Sequence, residues 1–199
     1  MKKCKVCRKK FEAWNSLQVV CSPGCALKLA KKQTLEKEKA ERKRLREKRN
    51  TLKPISKLKS EAQSAFNRFI RLRDFDAGCI SCGRSKEEVE SGSSLQGGYW
   101  DAGHYKSRGA RPMLRFVESN VHKQCKKCNG GSGKFSAKEA TVTGRYRDNL
   151  VEKIGLEQVE WLEGPHEEKK YKPDELREIK RKYNAKANKL QKIIEKTLQ

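Results

Sequence analysis

Cys79-Ile80-Ser81-Cys82, then Asp101-Ala102-Gly103-His104-Tyr105, then Asn120-Val121-His122-Lys123-Gln124-Cys125-Lys126-Lys127-Cys128-Asn129: these three segments decide how the chain is read. Two Cys-x-x-Cys pairs at this spacing mark a tetrahedral Zn²⁺ site, each pair clamping the ion from one knuckle. Zinc binding alone has no need of the His and the two Asn residues that the pairs enclose or adjoin. The set points to a metal-stapled scaffold built around a reactive centre.

A second set of four cysteines lies upstream, at Cys4, Cys7, Cys21 and Cys25, with thirteen residues between its two pairs. Phe11, Trp14, Val19 and Val20 fall in that interval. The spacing suits a zinc-ribbon-like finger over residues 1–27, with Pro23-Gly24 as the tight knuckle between ligands. All eight cysteines thus sit in close pairs, and Met1-Lys2-Lys3-Cys4 lacks the apolar stretch of an export signal. Reduced, metal-bound thiols in a cytoplasm fit this better than disulfides. No apolar run of eighteen residues exists, so no transmembrane helix is expected.

The formal charge of +23 is uneven: residues 1–60 hold 20 Lys+Arg against 5 Asp+Glu, a net +15. Such a surface attracts a polyanion, because each phosphate neutralised releases counterions. A membrane-lying helix would need an apolar face, and the basic stretch has none. Nucleic acid is the expected partner. With 35% hydrophobic and 37% charged residues a single large core is not expected, and metal staples would support small ones.

Four zones follow. After the finger, residues 28–56 form a basic arm and linker. Its composition favours a helix, but Leu29, Leu35 and Leu45 are too far apart for a buried stripe. Lys53-Pro54 breaks it. In zone 57–150, Ala62, Ala65, Phe66, Phe69, Ile70 and Arg73 recur at helical steps up to about Phe75. Ser85 to Gly98 reads as a loop, Tyr99 to Tyr105 as a strand ending at His104, and Asn129 to Lys134 as a turn. Zone 151–199 belongs to a helical C-terminal region, with one helix from Asn149 to Glu163. A second follows Pro173, striped by Leu176, Ile179, Tyr183, Leu190, Ile194 and Leu198. That stripe packs either on the domain or on a second copy of the chain.

Phosphodiester hydrolysis needs a base tuned near neutrality, which His supplies, and a divalent cation on hard oxygen ligands. His104 with Asp101 and Asn129 offers both parts, leaving the thiolate zinc as structure. A His at a strand end, an Asn five residues before Cys-x-x-Cys and an Asn just after it resemble the HNH nuclease motif in its H-N-N form: His104, Asn120, Asn129. The wider match, Asp101-Ala-Gly-His-Tyr105, Leu114-Arg-Phe116 and Asn120 through Asn129, resembles the phage lambda NinG (Rap) recombination protein family over nearly the whole chain.

That resemblance implies an α+β, zinc-stapled fold with a ββα-metal core, the N-terminal finger and flanking helices. It also implies a structure-specific endonuclease acting on D-loops and Holliday junctions in phage recombination. Its setting would be the cytoplasm of a bacterial host, with recombination proteins as further partners. His104 becomes the general base and Asn120 the residue that fixes the loop and orients it. Asn129, with Asp101, becomes a ligand for Mg²⁺ or Mn²⁺. Cys79, Cys82, Cys125 and Cys128 hold one structural zinc, and the N-terminal cysteines a second. One departure stands out: many HNH enzymes carry a metal-binding Asp or His immediately before the base, where this chain has Gly103. Lys31, Lys32, Arg42, Lys43, Arg44, Arg46, Lys106 and Arg108 are the expected DNA contacts. His122 is either a phosphate or metal ligand or a polar residue approaching a helix, and His166 an ordinary surface residue. The competing reading is a zinc-dependent DNA-binding scaffold without catalysis, which explains the charge and cysteines but not His104, Asn120 and Asn129 together.

Overall fold

The computed structural model describes residues 1–92, 98–130 and 136–197, and the chain divides into two units, Met1–Lys53 and Pro54–Gln199. In the first, strand β1 (Lys2–Lys3) pairs antiparallel with β2 (Lys10–Phe11). Helix α1 runs from Pro23 to Thr51, so it starts inside the second cysteine pair rather than at residue 28. The Ser22 hydroxyl accepts from the Cys25 N–H at 3.3 Å, and Pro23 supplies the preset φ of a first helical residue. Pro23-Gly24 therefore opens a helix and does not form the expected knuckle turn. No residue of α1 is buried.

The second unit begins with α2 (Ile55–Arg73), whose apolar face carries Leu58, Ala62, Ala65, Phe66, Phe69 and Ile70. The long C-terminal helix, α7 (Pro173–Thr197 in the order of all helices), lies along it. Phe66 meets Tyr183 edge-on with ring centroids 4.7 Å apart. Ala187, Ile179 and Leu190 close over the same cluster. Burying each such large side chain contributes about 1.5–3 kcal/mol, so the α2–α7 seam is a main source of stability. The C-terminal stripe is thus used within the chain; Leu198 lies outside the described residues.

Between these helices the chain makes one hairpin. Strand β3 (Trp100–His104) pairs antiparallel with β4 (Val121–Cys125), Gly103 facing His122 and His104 facing Val121. Ala102 and Val121 join the α2–α7 core. The short helix α3 (Lys86–Glu90) occupies part of the segment expected as loop; Ser85 and Glu88 form a reciprocal capping box there. Helix α4 (Lys126–Asn129) follows β4 directly. Helices α5 (Ser136–Ile154) and α6 (Leu156–Glu163) break at Gly155, so the first starts well before Asn149. Their Tyr146, Leu150, Val159 and Leu162 cover Ile80 and Leu114. Residues 131–134 of the expected turn and 93–97 of the expected loop lie outside the described residues. Among the described residues helices dominate, and each unit carries one two-stranded sheet.

One polar node ties α2, β4 and α5 together. Asp74 accepts from Arg73 Nε at 2.9 Å and Nη2 at 2.8 Å, from the Lys123 backbone N–H at 3.1 Å, and from Lys153 Nζ at 3.4 Å. Burial opposes its ionisation, but contacts with His122 and Arg73 and the charges of Arg73 and Lys153 outweigh that and hold the carboxyl well below the usual range. Asp74→Ala leaves the Arg73 guanidinium with only the carbonyls of Glu118 and Val121 and the His122 ring, and the buried Lys123 N–H without its partner, and should cost about 3–5 kcal/mol in urea unfolding. A loss below about 0.5 kcal/mol would place Asp74 among ordinary surface substitutions and reject the node. The depressed pKa also sets a pH window. Its contribution is full above the ordinary value of 3.8 and is lost only as the pH falls below it.

Candidate functional site

The Cys4/Cys7 and Cys79/Cys82 turns close in the same way. The Arg8 N–H donates to the Cys4 carbonyl and the Cys4 N–H to the Lys9 carbonyl, each at 3.0 Å. In the second, Gly83 donates to Cys79 and Cys79 to Arg84, each at 2.9 Å. The residue after the second cysteine takes positive φ in both, 64° at Arg8 and 71° at Gly83, a conformation glycine adopts without steric cost. Each turn gathers its partner pair, so that the four sulfurs of Cys4, Cys7, Cys21 and Cys25, and those of Cys79, Cys82, Cys125 and Cys128, lie within 4.8 Å of one another. Zinc held at about 2.3 Å from each thiolate fits such a set, and four protein ligands make a closed, structural site. Either tetrad can hold a zinc ion. In the second, hydrogen bonds with Cys128 and Cys79 push the Cys125 thiol down, while hydrogen bonds with Cys125 and Cys79, then burial, push Cys128 up. Arg84 Nε lies 3.4 Å from Cys82 Sγ, offsetting negative charge on the thiolates.

The Cys79 knuckle docks on β4 through Ile80 N–H to the Lys123 carbonyl and the Cys125 N–H to Cys79 Sγ, at 3.1 and 3.3 Å. This anchors the hairpin that carries the other candidate residues. Asn120 is fully buried at the head of β4. Its Oδ1 accepts from the Lys106 N–H at 2.8 Å, and its Nδ2 donates to the carbonyls of Lys106 and Leu114 at 3.1 and 3.2 Å. One carboxamide therefore pins both ends of the excursion from His104 to β4. That excursion places the Arg115 carbonyl 3.1 Å from His104 Nε2. A carbonyl only accepts, so Nε2 carries the proton and Nδ1 keeps the lone pair. Burial pushes the His104 pKa down to about 4, with the nearby charges of Arg108 and Arg115 acting in the same direction, so it lies below the near-neutral value expected of the base from the sequence.

Asp101 and Asn129 meet: Asn129 Nδ2 donates to Asp101 Oδ2 at 2.9 Å, at the exposed mouth of the hairpin. Lys126 Nζ stands 4.0 Å from the other oxygen. Strand alternation puts Asp101 on the face of Gly103, Gln124 and His122, and His104 on the opposite face with Ala102 and Val121. Position 103 has no room for a ligand side chain while Gln124 keeps its place. A Cβ built on Gly103 would lie 2.0 Å from Gln124 Oε1, and Gln124 is held there by a 2.6 Å bond to Ser81 Oγ. Asp101 thus stands one pleat upstream on the face where a ligand before His104 would project.

The remaining expected residues separate. His122 is a buried strand residue, its Nε2 3.2 Å from the Ser119 carbonyl and its Nδ1 3.0 Å from Arg73, so it belongs to the Asp74 node and not to a helix approach. His166 is half-buried with its ring against Trp161. Lys106 Nζ lies 3.4 Å from Glu163, which also binds Tyr105 and Arg147. Arg108 is exposed, as are Lys31, Lys32, Arg42, Lys43, Arg44 and Arg46 along α1. Arg115 is the residue that sequence reading passed over: its backbone fixes the His104 tautomer, and its side chain donates to Gln63 Oε1 at 3.2 Å. A charged residue between Leu114 and Phe116 was its only signal. No described helix is long and apolar enough to cross a membrane.

Residues 1–195 match the family model described as Bacteriophage Lambda NinG protein. Protein ninG of Escherichia phage 933W is 38% identical over 200 residues, spanning 93% of this chain and 91% of its own length. Protein ninG of Salmonella phage P22 is 37% identical over 195 residues, with 90% and 88% covered. Protein ninG of Escherichia phage lambda is also 37% identical over 195 residues, with 90% and 87% covered. No solved structure matches the chain.

Proposed function

The chain belongs to the bacteriophage lambda NinG family, and from that membership and the surroundings of His104 we propose a metal-dependent endonuclease that cuts branched DNA. The observation that carries the reading is the His104 tautomer. A neutral imidazole, with Nε2 committed to the Arg115 carbonyl, presents Nδ1 to take a proton from an attacking water. Asn120 positions it by pinning the excursion at both ends. We read the β3–β4 hairpin and the chain after Cys128 as a ββα-metal core of the HNH type.

Asp101 and Asn129 are the residues that would hold Mg²⁺ or Mn²⁺, the amide turning its oxygen inward. The donor set fits: one carboxylate and one carboxamide in contact at an exposed edge suit an ion that keeps waters and meets substrate phosphate. An ion held there would polarise the phosphate and stabilise the leaving oxygen. The protein's own contribution is a base kept unprotonated by burial, and the cations Arg108 and Arg115 beside it, which favour an anionic backbone. The exposed basic face of α1 supplies further backbone contacts. The setting is the cytoplasm of a bacterial host, with other recombination proteins as partners.

The test uses the purified, zinc-loaded chain with a synthetic four-way junction and a linear duplex, with Mg²⁺, with Mn²⁺ and with a chelator of weaker zinc affinity. Cleavage of the junction in either metal, with the duplex spared and no cutting in chelator, is the expected result. DNA binding without cleavage in any metal would leave a zinc-dependent binding scaffold instead.

A further inference from the structure

In the stretch of the N-terminal finger between β2 and Cys21 two large apolar side chains point into water: Trp14 is 95% exposed and Leu17 85%. Scattered exposed hydrophobics are ordinary, but these two share one short loop, and that loop is held from several sides. Asn15 Oδ1 accepts from the N–H groups of Leu17 and Gln18 at 3.0 and 2.9 Å. Gln18 Oε1 accepts from the Trp14 N–H at 2.8 Å, and its Nε2 donates to the Val20 carbonyl at 3.0 Å. From β1, Lys2 Nζ donates to the Ser16 carbonyl at 2.6 Å and the Asn15 carbonyl at 3.3 Å. These bonds hold the loop's backbone, and the indole is left outside on that support. Ordering that would otherwise oppose binding is already complete.

The charge around the loop selects the partner. Lys3, Lys5, Arg8, Lys9 and Lys10 are all exposed, and Glu12 is the only acidic residue among residues 1–27. An apolar protein groove would leave those cations without a counterpart. A nucleic acid strand offers phosphates to them and a flat π-face to the indole, provided that a base is unpaired.

We propose that the finger is a reader of unpaired bases, Trp14 stacking on a base while the surrounding cations hold the strand. This rests on the DNA reading above and gives the finger a task separate from cleavage: recognising the unstacked base that distinguishes a distorted duplex from a regular one.

The experiment compares the full zinc-loaded chain with W14A and W14F on an oligothymidylate strand and on a linear duplex of equal length. W14A should bind the single strand about tenfold more weakly and the duplex as before, the size of one lost aromatic–base stack. W14F should recover most of the affinity and, lacking the indole, should lose part of the emission quenching that the strand causes in wild type. Two zinc ions per chain in W14A would show the finger intact. Unchanged single-strand affinity in W14A, or an equal loss on both DNAs, overturns the proposal while leaving the nuclease reading in place. Failure of the wild type to bind any DNA overturns both.

Discussion

His104→Ala is expected to slow junction cleavage by about 10²- to 10⁴-fold, the range for loss of a positioned general base. Affinity for the junction should be unchanged, since a neutral imidazole adds no charge to phosphate binding. Single-turnover rates with saturating enzyme separate the two quantities, and equal cleavage by the variant would remove His104 from the chemistry. The pH profile gives an independent check. Burial holds the His104 pKa near 4 instead of 6.5, so the ring keeps its lone pair in neutral and mildly acid solution. The unfolded chain binds that proton more readily than the folded one. The folded protein therefore gains nothing from this group above pH 6.5 and loses stability as pH falls from 6.5 toward 4. His104→Ala should flatten that part of the stability curve as well as slow cleavage.

Zinc removal should have the largest effect on structure. The hairpin has only two strands, too few to persist alone in water, and the Cys79 knuckle grips it through backbone bonds. Structural zinc typically contributes about 10 kcal/mol or more of apparent binding free energy, which is comparable to the whole stability of a domain. Stripping the metal with a strong chelator should therefore melt the hairpin and its surroundings cooperatively, followed by loss of amide protection in β3 and β4. Metal analysis should give two zinc ions per chain, one in Cys125→Ser and one in Cys4→Ser. A chelated protein with an unchanged melting curve would show that the sulfurs are not metal-bound.

The parts legible in sequence were those written in local spacing. Cysteine intervals gave both tetrads, helical periodicity gave the α2 face and the α7 stripe, and the strand ending at His104 followed from its short apolar run. Ser85 with Glu88 was a readable capping box that the polar composition of the segment obscured. Other features depend on chain crossings with no local trace. Asp101 reaches Asn129 only because α4 turns back after β4, and the Asp74 node joins residues from α2, β4 and α5. The His104 tautomer depends on a backbone carbonyl, and every residue has one. Its position came from Asn120, whose importance was legible but whose three bonds were not.

Gly103 and Gln124 share one volume, and that has a consequence for how such a site can vary. A carboxylate placed at 103 collides with the Gln124 side chain, while shortening Gln124 by itself leaves Ser81 without its partner and opens a void beside a bare glycine. Each single step is penalised and only the paired exchange restores packing, so the two positions are epistatic in sign. A residue with a side chain at 103 is therefore expected to be accommodated only together with a change at Gln124. The two ways of building the edge of this hairpin are alternatives, not neighbours.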